Sequence, residues 1–167
     1  GIKTRLVTNS LEATDVPVVH SAWMGYRDRL VRAGAEILEL RARPDMPEST
    51  SLTHILTGSQ SSLHAKTFAI DGERVFIGSF NFDPRSASLN TEMGFLIESA
   101  DIAASISGAL DRQETFYRLS EGPQGEIEWS QITPGSEPRV WSHEPNTTAW
   151  QRGLVRFMSF LPVEWVL

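Results

Sequence analysis

His64 and Lys66 stand two residues apart in an apolar stretch, Leu63 to Ile70, that reads as a β-strand. Side chains two apart on a strand point to the same face. An imidazole and an ammonium group are therefore expected side by side on one rigid element. Such a pair suits a phosphodiester. One group attacks phosphorus or passes a proton, and the other neutralises a phosphate oxygen. Asp71 follows Lys66 after four residues; Gly78-Ser79-Phe80-Asn81 and Asn90-Thr91-Glu92 come next.

The elements that must position these residues are legible around them. Lys3 to Thr8 alternates and contains β-branched residues, so it reads as a strand. Thr14 or Asp15 is the expected cap of a helix starting near Pro17, with Val18, Val19, Ala22, Tyr26, Leu30 and Val31 at helical spacing and Gly34 as its stop. Ala35 to Leu40 reads as a second strand, and strand–helix–strand implies a parallel pair in an α/β sheet. Arg41 to Ser62, rich in Pro, Ser and Thr, is expected to be a long loop bordering the site. Asp71-Gly72 between two apolar runs predicts a tight hairpin, with Arg74 to Ile77 as the return strand. Asn81 to Leu89 reads as a polar loop and Met93 to Ile97 as a buried strand. A helix is expected from an Asp101 cap to about Phe116, and one more strand over Glu126 to Ile132.

After Thr133 the composition shifts to Pro, Gly and Asn without clear periodicity, so residues 1–133 are expected to form the domain and 134–167 a C-terminal extension. That extension closes on an apolar run, Trp150 to Leu167, with two tryptophans and two arginines. It is too short to span a bilayer and is suited either to a membrane interface or to docking on the core. The first residue is Gly1, and a core-like strand begins at once, so the chain is expected to be a piece of something longer.

The 167 residues allow one domain with a real core, and 40% hydrophobic and 22% charged residues are ordinary for a globular protein. Without cysteine there is no disulfide framework and no thiolate nucleophile or metal site. A net charge of −6 argues against a general nucleic-acid binder. A cation site on His64 and Glu92 finds little support either, because Lys66 beside them repels a metal ion.

The ordered set His64-x-Lys66, Asp71, Gly78-Ser79-x-Asn81 resembles the HKD motif of the phospholipase D superfamily, with Glu92 where that family places a downstream carboxylate. The texture from Thr8-Asn9-Ser10 to Phe80-Asn81-Phe82-Asp83-Pro84-Arg85-Ser86, and the closing Leu161-Pro162-Val163-Glu164-Trp165, is similar more narrowly to the C-terminal half of bacterial cardiolipin synthases of the C type. The resemblance implies an α/β phospholipase-D-like fold: a mixed β-sheet of six to eight strands flanked by helices on both faces. It implies metal-independent, cofactor-free phosphatidyl transfer through a phosphohistidine, on phosphatidylglycerol-like phospholipids, at the periphery of the bacterial inner membrane. It assigns His64, Lys66, Asp71 and Glu92 to the catalytic set, and Lys66, Ser79 and Asn81 to the substrate phosphate. Glu92 is then the orienter of His64. The family builds one site from two such motifs, and this chain holds one. A second motif is therefore expected in the same parent chain or in a homodimer partner.

Blander readings stand beside these. Asp71, read from its neighbours, opens a turn. Glu92 alone is as well an exposed carboxylate. His20 lies on the first helix as a packed or surface residue; His54 borders the site in the long loop. Arg85 suits either a lipid phosphate or an ion pair. Two rival functions follow. One is a homodimeric phosphodiesterase or endonuclease, against which the acidic balance weighs. The other is a non-catalytic lipid-interface module, against which the intact motif weighs.

Overall fold

The computed structural model describes residues 2–14, 16–42 and 63–161. They are α/β, and they fall into two compact units, one made of residues up to 42 with those from 113 on, the other of residues 63–112. The expected long loop, with His54, lies outside the described residues.

The first unit begins with β1 (Arg5–Asn9), α1 (Pro17–Arg32) and β2 (Glu36–Leu40), the predicted strand–helix–strand. β1 pairs parallel to β2, from Arg5 opposite Glu36 to Asn9 opposite Leu40. Pro17 starts α1, since its fixed φ suits the first helical position and its missing N–H is not needed there. The cap position is Val16, not Thr14, and no side chain caps it. The helix stops as expected. Gly34 takes a φ of +87°, its N–H bonds Val31 O at 2.9 Å, and Ala35 N–H reaches back to Leu30 O at 3.1 Å. That is the two-bond Schellman closure of the last carbonyls.

Three further strands complete a mixed five-stranded sheet in the order β1-β2-β6-β7-β8: β6 (Phe116–Glu121), β7 (Ile127–Gln131) and β8 (Arg139–Trp141), all antiparallel to their neighbours. β6 starts at Phe116, where the expected helix was to end, and β8 lies in the stretch read as having no clear periodicity. Ile37, Tyr117, Leu119, Ile127 and Trp129 form the core, with Leu6, Trp23, Leu30 and Val31 packed against it. Four of the five β2 residues are buried, so both faces of the strand are covered. Beyond the sheet lies the helix Ala149–Met158, numbered α4 below, which packs on α1. Thr148 and Gln151 start it with a reciprocal capping box.

Charge is buried in this unit only with partners. Glu39, on the same face of β2 as Ile37, accepts hydrogen bonds from Trp23 Nε1 (3.0 Å) and Trp129 Nε1 (2.8 Å). Burial pushes its carboxyl up, against the pull of the nearby Arg27 charge and the two indole bonds. Arg27 lies 4.7 Å over the Trp129 ring and bonds Glu144 at 3.0 Å. Tyr117 donates to Glu12 at 2.8 Å and accepts from Asn146 at 2.9 Å; burial first, then the Glu12 bond, push it up to about 12. His20 is buried on α1, and burial with the Arg27 charge lowers it to about 4.

The second unit holds a three-stranded antiparallel sheet: β3 (Lys66–Ile70), β4 (Arg74–Gly78) and β5 (Gly94–Glu98). Eight strands are thus present among the described residues, divided over two sheets. Asp71 and Gly72, at φ +54° and +71°, form the β3–β4 turn, closed by Glu73 N–H on Ile70 O at 3.1 Å. Two central residues at positive φ are what a type I′ hairpin requires. α2 (Pro84–Ser88) is one short turn in the loop expected to be irregular; Asp83 caps it by accepting Ser86 N–H at 2.7 Å. α3 (Ala100–Leu110) packs on β3 and β4, with Val75 and Ala103 fully buried. Its cap is Ser99, which accepts Ile102 N–H at 3.3 Å. Asp101 falls in the first turn, where its charge still favours the helix dipole. α3 ends at Leu110, earlier than expected, because a 3-10 turn over Gln113–Thr115 leads the chain into β6.

Candidate active site

Strand register places the candidate residues at one end of the three-stranded sheet. Lys66 lies opposite Gly78, and Gly78 opposite Gly94. One step further along, Ser79 sits beside Met93: Ser79 N–H donates to Met93 O at 2.8 Å, and Met93 N–H to Ser79 Oγ at 3.1 Å. β3 starts at Lys66, later than the expected Leu63, because beyond Gly78 the β4 chain turns its hydrogen bonds to Met93. His64 therefore precedes the first paired residue and is exposed.

The row Lys66–Gly78–Gly94 carries one side chain. A Cβ at Gly78 would stand 2.6 Å from Met93 O, and one at Gly94 would run into the Phe76 ring. Glycine is required at Gly78, where the added atom would meet backbone; at Gly94 the Phe76 ring would have to move aside. Phe76 in turn stacks on Phe68 at 4.8 Å, and Phe82 meets the edge of both Phe68 (5.9 Å) and Phe80 (5.5 Å). This aromatic string ties the sheet to the loop that carries Asn81.

Glu92 is the best-held group of the site. Its Oε2 accepts a short hydrogen bond from Ser79 Oγ, and its Oε1 accepts from Asn90 Nδ2 at 3.3 Å. The Ser79 bond above all lowers its pKa below the usual glutamate value, helped by the Ser86 hydroxyl, Asn90 and the Lys66 charge. A carboxylate kept ionised beside an ammonium is the result. Lys66 Nζ donates to His64 O at 3.2 Å, which holds the lysine under the histidine's backbone.

The structure thus brings Lys66, Ser79 and Glu92 together, with His64 two residues before Lys66 in the chain. Among the described residues Glu92 bonds Ser79 and Asn90, and the His64 imidazole has no hydrogen-bond partner. Asn81 is exposed on the loop after β4. Asp71 stands apart: it is in the turn at the far end of β3, roughly 16 Å from Lys66 along the strand, and 3.9 Å from Arg74. Arg85 is exposed on α2 and His20 is buried in the first unit. Asn90 and Ser86 were not singled out as site residues from sequence. A carboxamide two residues before a site carboxylate was the available signal for Asn90. Among the described residues no three His, Asp or Glu side chains converge as metal ligands. An open imidazole, an adjacent ammonium and a fixed carboxylate form an arrangement for binding an anionic ester and moving a proton on it.

Comparison with known proteins points the same way. Residues 1–113 match the family model described as cardiolipin synthase, phospholipase-D-like domain. Cardiolipin synthase C of Escherichia coli (strain K12) is 44% identical over 169 aligned positions, covering 100% of this chain and 36% of that protein. An uncharacterized protein of Helicobacter pylori strain 26695 is 38% identical, covering 97% of this chain and 31% of its own length. A second, from strain J99, is 38% identical over 71% of this chain and 23% of its own. The chain spans about a third or less of the length of these relatives. No solved structure matches it.

Proposed function

Because the chain belongs to the family of cardiolipin synthase, phospholipase-D-like domains, we propose that it takes part in phosphatidyl transfer between phospholipids and supplies the C-terminal half of an active site built from two HKD motifs. The other half comes from the same parent chain or from a homodimer partner. The donor and acceptor are phosphatidylglycerol-like, and the enzyme works at the periphery of the bacterial inner membrane.

One imidazole of the pair attacks phosphorus. An N–P bond forms, and the P–O bond to the departing alcohol breaks. The other imidazole gives that alcohol its proton. It then takes a proton from the acceptor alcohol, whose oxygen attacks phosphorus as the N–P bond breaks. His64 is the proton carrier where the other half comes from the same parent chain; in a homodimer one copy of His64 is the nucleophile and the other the proton carrier. Lys66 and Asn81 hold the non-bridging oxygens and offset charge on the five-coordinate phosphorus. Glu92, kept anionic by Ser79 and Asn90, is the acceptor that orients the His64 ring once substrate and the second half close the site. Asp71 serves through the turn.

The observation that carries this reading is the anchored, ionised Glu92 at the same sheet end as Lys66 and His64. The test is His64→Ala in the intact enzyme, assayed for phosphatidyl transfer. Activity is expected to fall by about a hundredfold or more, the usual worth of a positioned proton carrier. Near-normal turnover would overturn the assignment. Light scattering on the same sample distinguishes a homodimer site from one completed within a longer chain.

A further inference from the structure

α4 carries two faces of unequal use. Val155, 2% exposed, docks the helix on α1. Trp150, Leu154 and Phe157 follow one another at four and three residues and share an arc of about 60°, some 130° round the helix from Val155. They are 77%, 41% and 65% exposed, and Phe160 and Leu161 in the following turn are exposed as well. The helix is therefore packed and capped from its other side, and it still holds out an apolar stripe. A solitary exposed leucine needs no explanation; an aligned Trp–Leu–Phe series does.

We infer that this stripe is the surface by which the protein seats on an anionic phospholipid bilayer, with α4 lying flat in the headgroup region. The inference rests on the proposed function only in that the substrate then lies in the same bilayer. Three observations choose lipid over a protein partner. Charge is the first. Residues 149–161 contain Arg152 and Arg156 and no carboxylate, in a chain whose net charge is −6. A cationic, amphipathic segment on an otherwise acidic molecule complements anionic headgroups. Composition is the second: a tryptophan and phenylalanines are the side chains that favour the water–hydrocarbon boundary. Length is the third. Ten residues reach about 15 Å, half a bilayer core, and among the described residues no helix is long and apolar enough to cross a membrane. Such a helix lies in the interface, and its Thr148–Gln151 capping box keeps it helical there without further partners.

The experiment is vesicle binding. Vesicles of phosphatidylcholine with phosphatidylglycerol, and of phosphatidylcholine alone, are sedimented with wild type and with the triple variant Trp150→Ser, Leu154→Ser, Phe157→Ser. Binding to the anionic vesicles is expected to fall at least about tenfold. Arg156→Gln should lose about fivefold on anionic vesicles and little on neutral ones. A second readout covers the case that the triple variant fails to fold. The chain has no cysteine, so Trp150→Cys accepts an environment-sensitive dye at one position. A blue shift on adding anionic vesicles supports the inference. A dye that ignores vesicles overturns it, as does one already shielded in solution by a second copy or by another part of the protein, or a triple variant that folds and binds undiminished. Binding needs no turnover, so His64→Ala should bind as wild type does. An intact enzyme, with both halves of the site present, that binds through α4 but transfers nothing would sink the proposed function alone.

Discussion

Trp129 in the first unit and Phe76 in the second are both aromatic residues inside a sheet, and the two units treat them differently. Trp129 is sealed in a core of five side chains; its indole N–H holds Glu39 and its face holds Arg27. Phe76 is half-buried, stacked on Phe68 and laid across two glycines. Apart from Val75 and Ala103, no described apolar side chain of the second unit is fully shielded, whereas the first buries even a glutamate with its partners. Yet His64, Lys66, Ser79, Asn81 and Glu92 all lie in the second unit. In the first unit the buried Glu39, Arg27, Glu144 and Tyr117 are bonded to one another or to neighbouring side chains, while Ser10 Oγ and His20 Nε2 are buried without a hydrogen-bond partner among the described residues. In the second unit Ser79 and Asn90 bond Glu92, while the His64 imidazole is exposed.

Substitutions test that contrast. Trp129→Ala should show the largest effect, about 3–5 kcal/mol of lost stability, because it opens a cavity and strips Glu39 and Arg27 of a partner. Phe76→Ala should cost less than half as much, and equal losses in urea titrations would break the comparison. The next effect depends on pH. An unfolded histidine takes a proton near pH 6.5, whereas folded His20 does so only near pH 4. Between those values the unfolded state binds more protons, so stability falls as pH falls, by as much as about 3 kcal/mol. Glu39, with its carboxyl pushed up, works in the opposite direction. The measurement is therefore the difference between wild type and His20→Gln at pH 7 and pH 4.5. Equal slopes would mean that His20 is hydrated and that the first unit is less sealed than its packing indicates. The smallest effect is Gly72→Ala. Nothing lies within 4 Å of the added Cβ, so the cost is the positive φ alone, about 1 kcal/mol. A larger loss would show the second unit to be more tightly coupled than its thin packing suggests.

What the sequence disclosed follows from how local each feature is. Pro17 and Gly34 bound α1, and Asp71-Gly72 turns the hairpin, because backbone chemistry at those residues decides the outcome wherever the chain goes. β6 was hidden. Phe116 to Glu121 alternates only briefly, and its pairing with β2 bridges more than seventy residues, which no window around it contains. β8 has three residues and stands among prolines and glycines, whereas the stretch that holds α4 was read as either interfacial or docked on the core. For the candidate site, the spacing predicted His64 and Lys66 on one strand; Lys66 lies at the same sheet end as Ser79, and His64 precedes the strand. The Asn90 bond to Glu92 depends on how the loop after α2 folds back, and the His64 ring's neighbours depend on more than its strand. Asp71 shows the limit of spacing: it belongs to the same ordered set of residues as Lys66 while standing a strand's length away from it.

That distance gives the type I′ turn a meaning beyond its local geometry. The turn sets which β4 residue faces which β3 residue, so it meters the strand the way a stop on a ruler does. One residue more in the turn would slide the ladder by one, and every side chain of β3 would exchange faces relative to β4. Lys66 would then no longer share its row with the bare backbone of Gly78 and Gly94. Surface loops ordinarily drift in length without harm. This one, exposed and remote from the candidate site, is a loop whose length is not free.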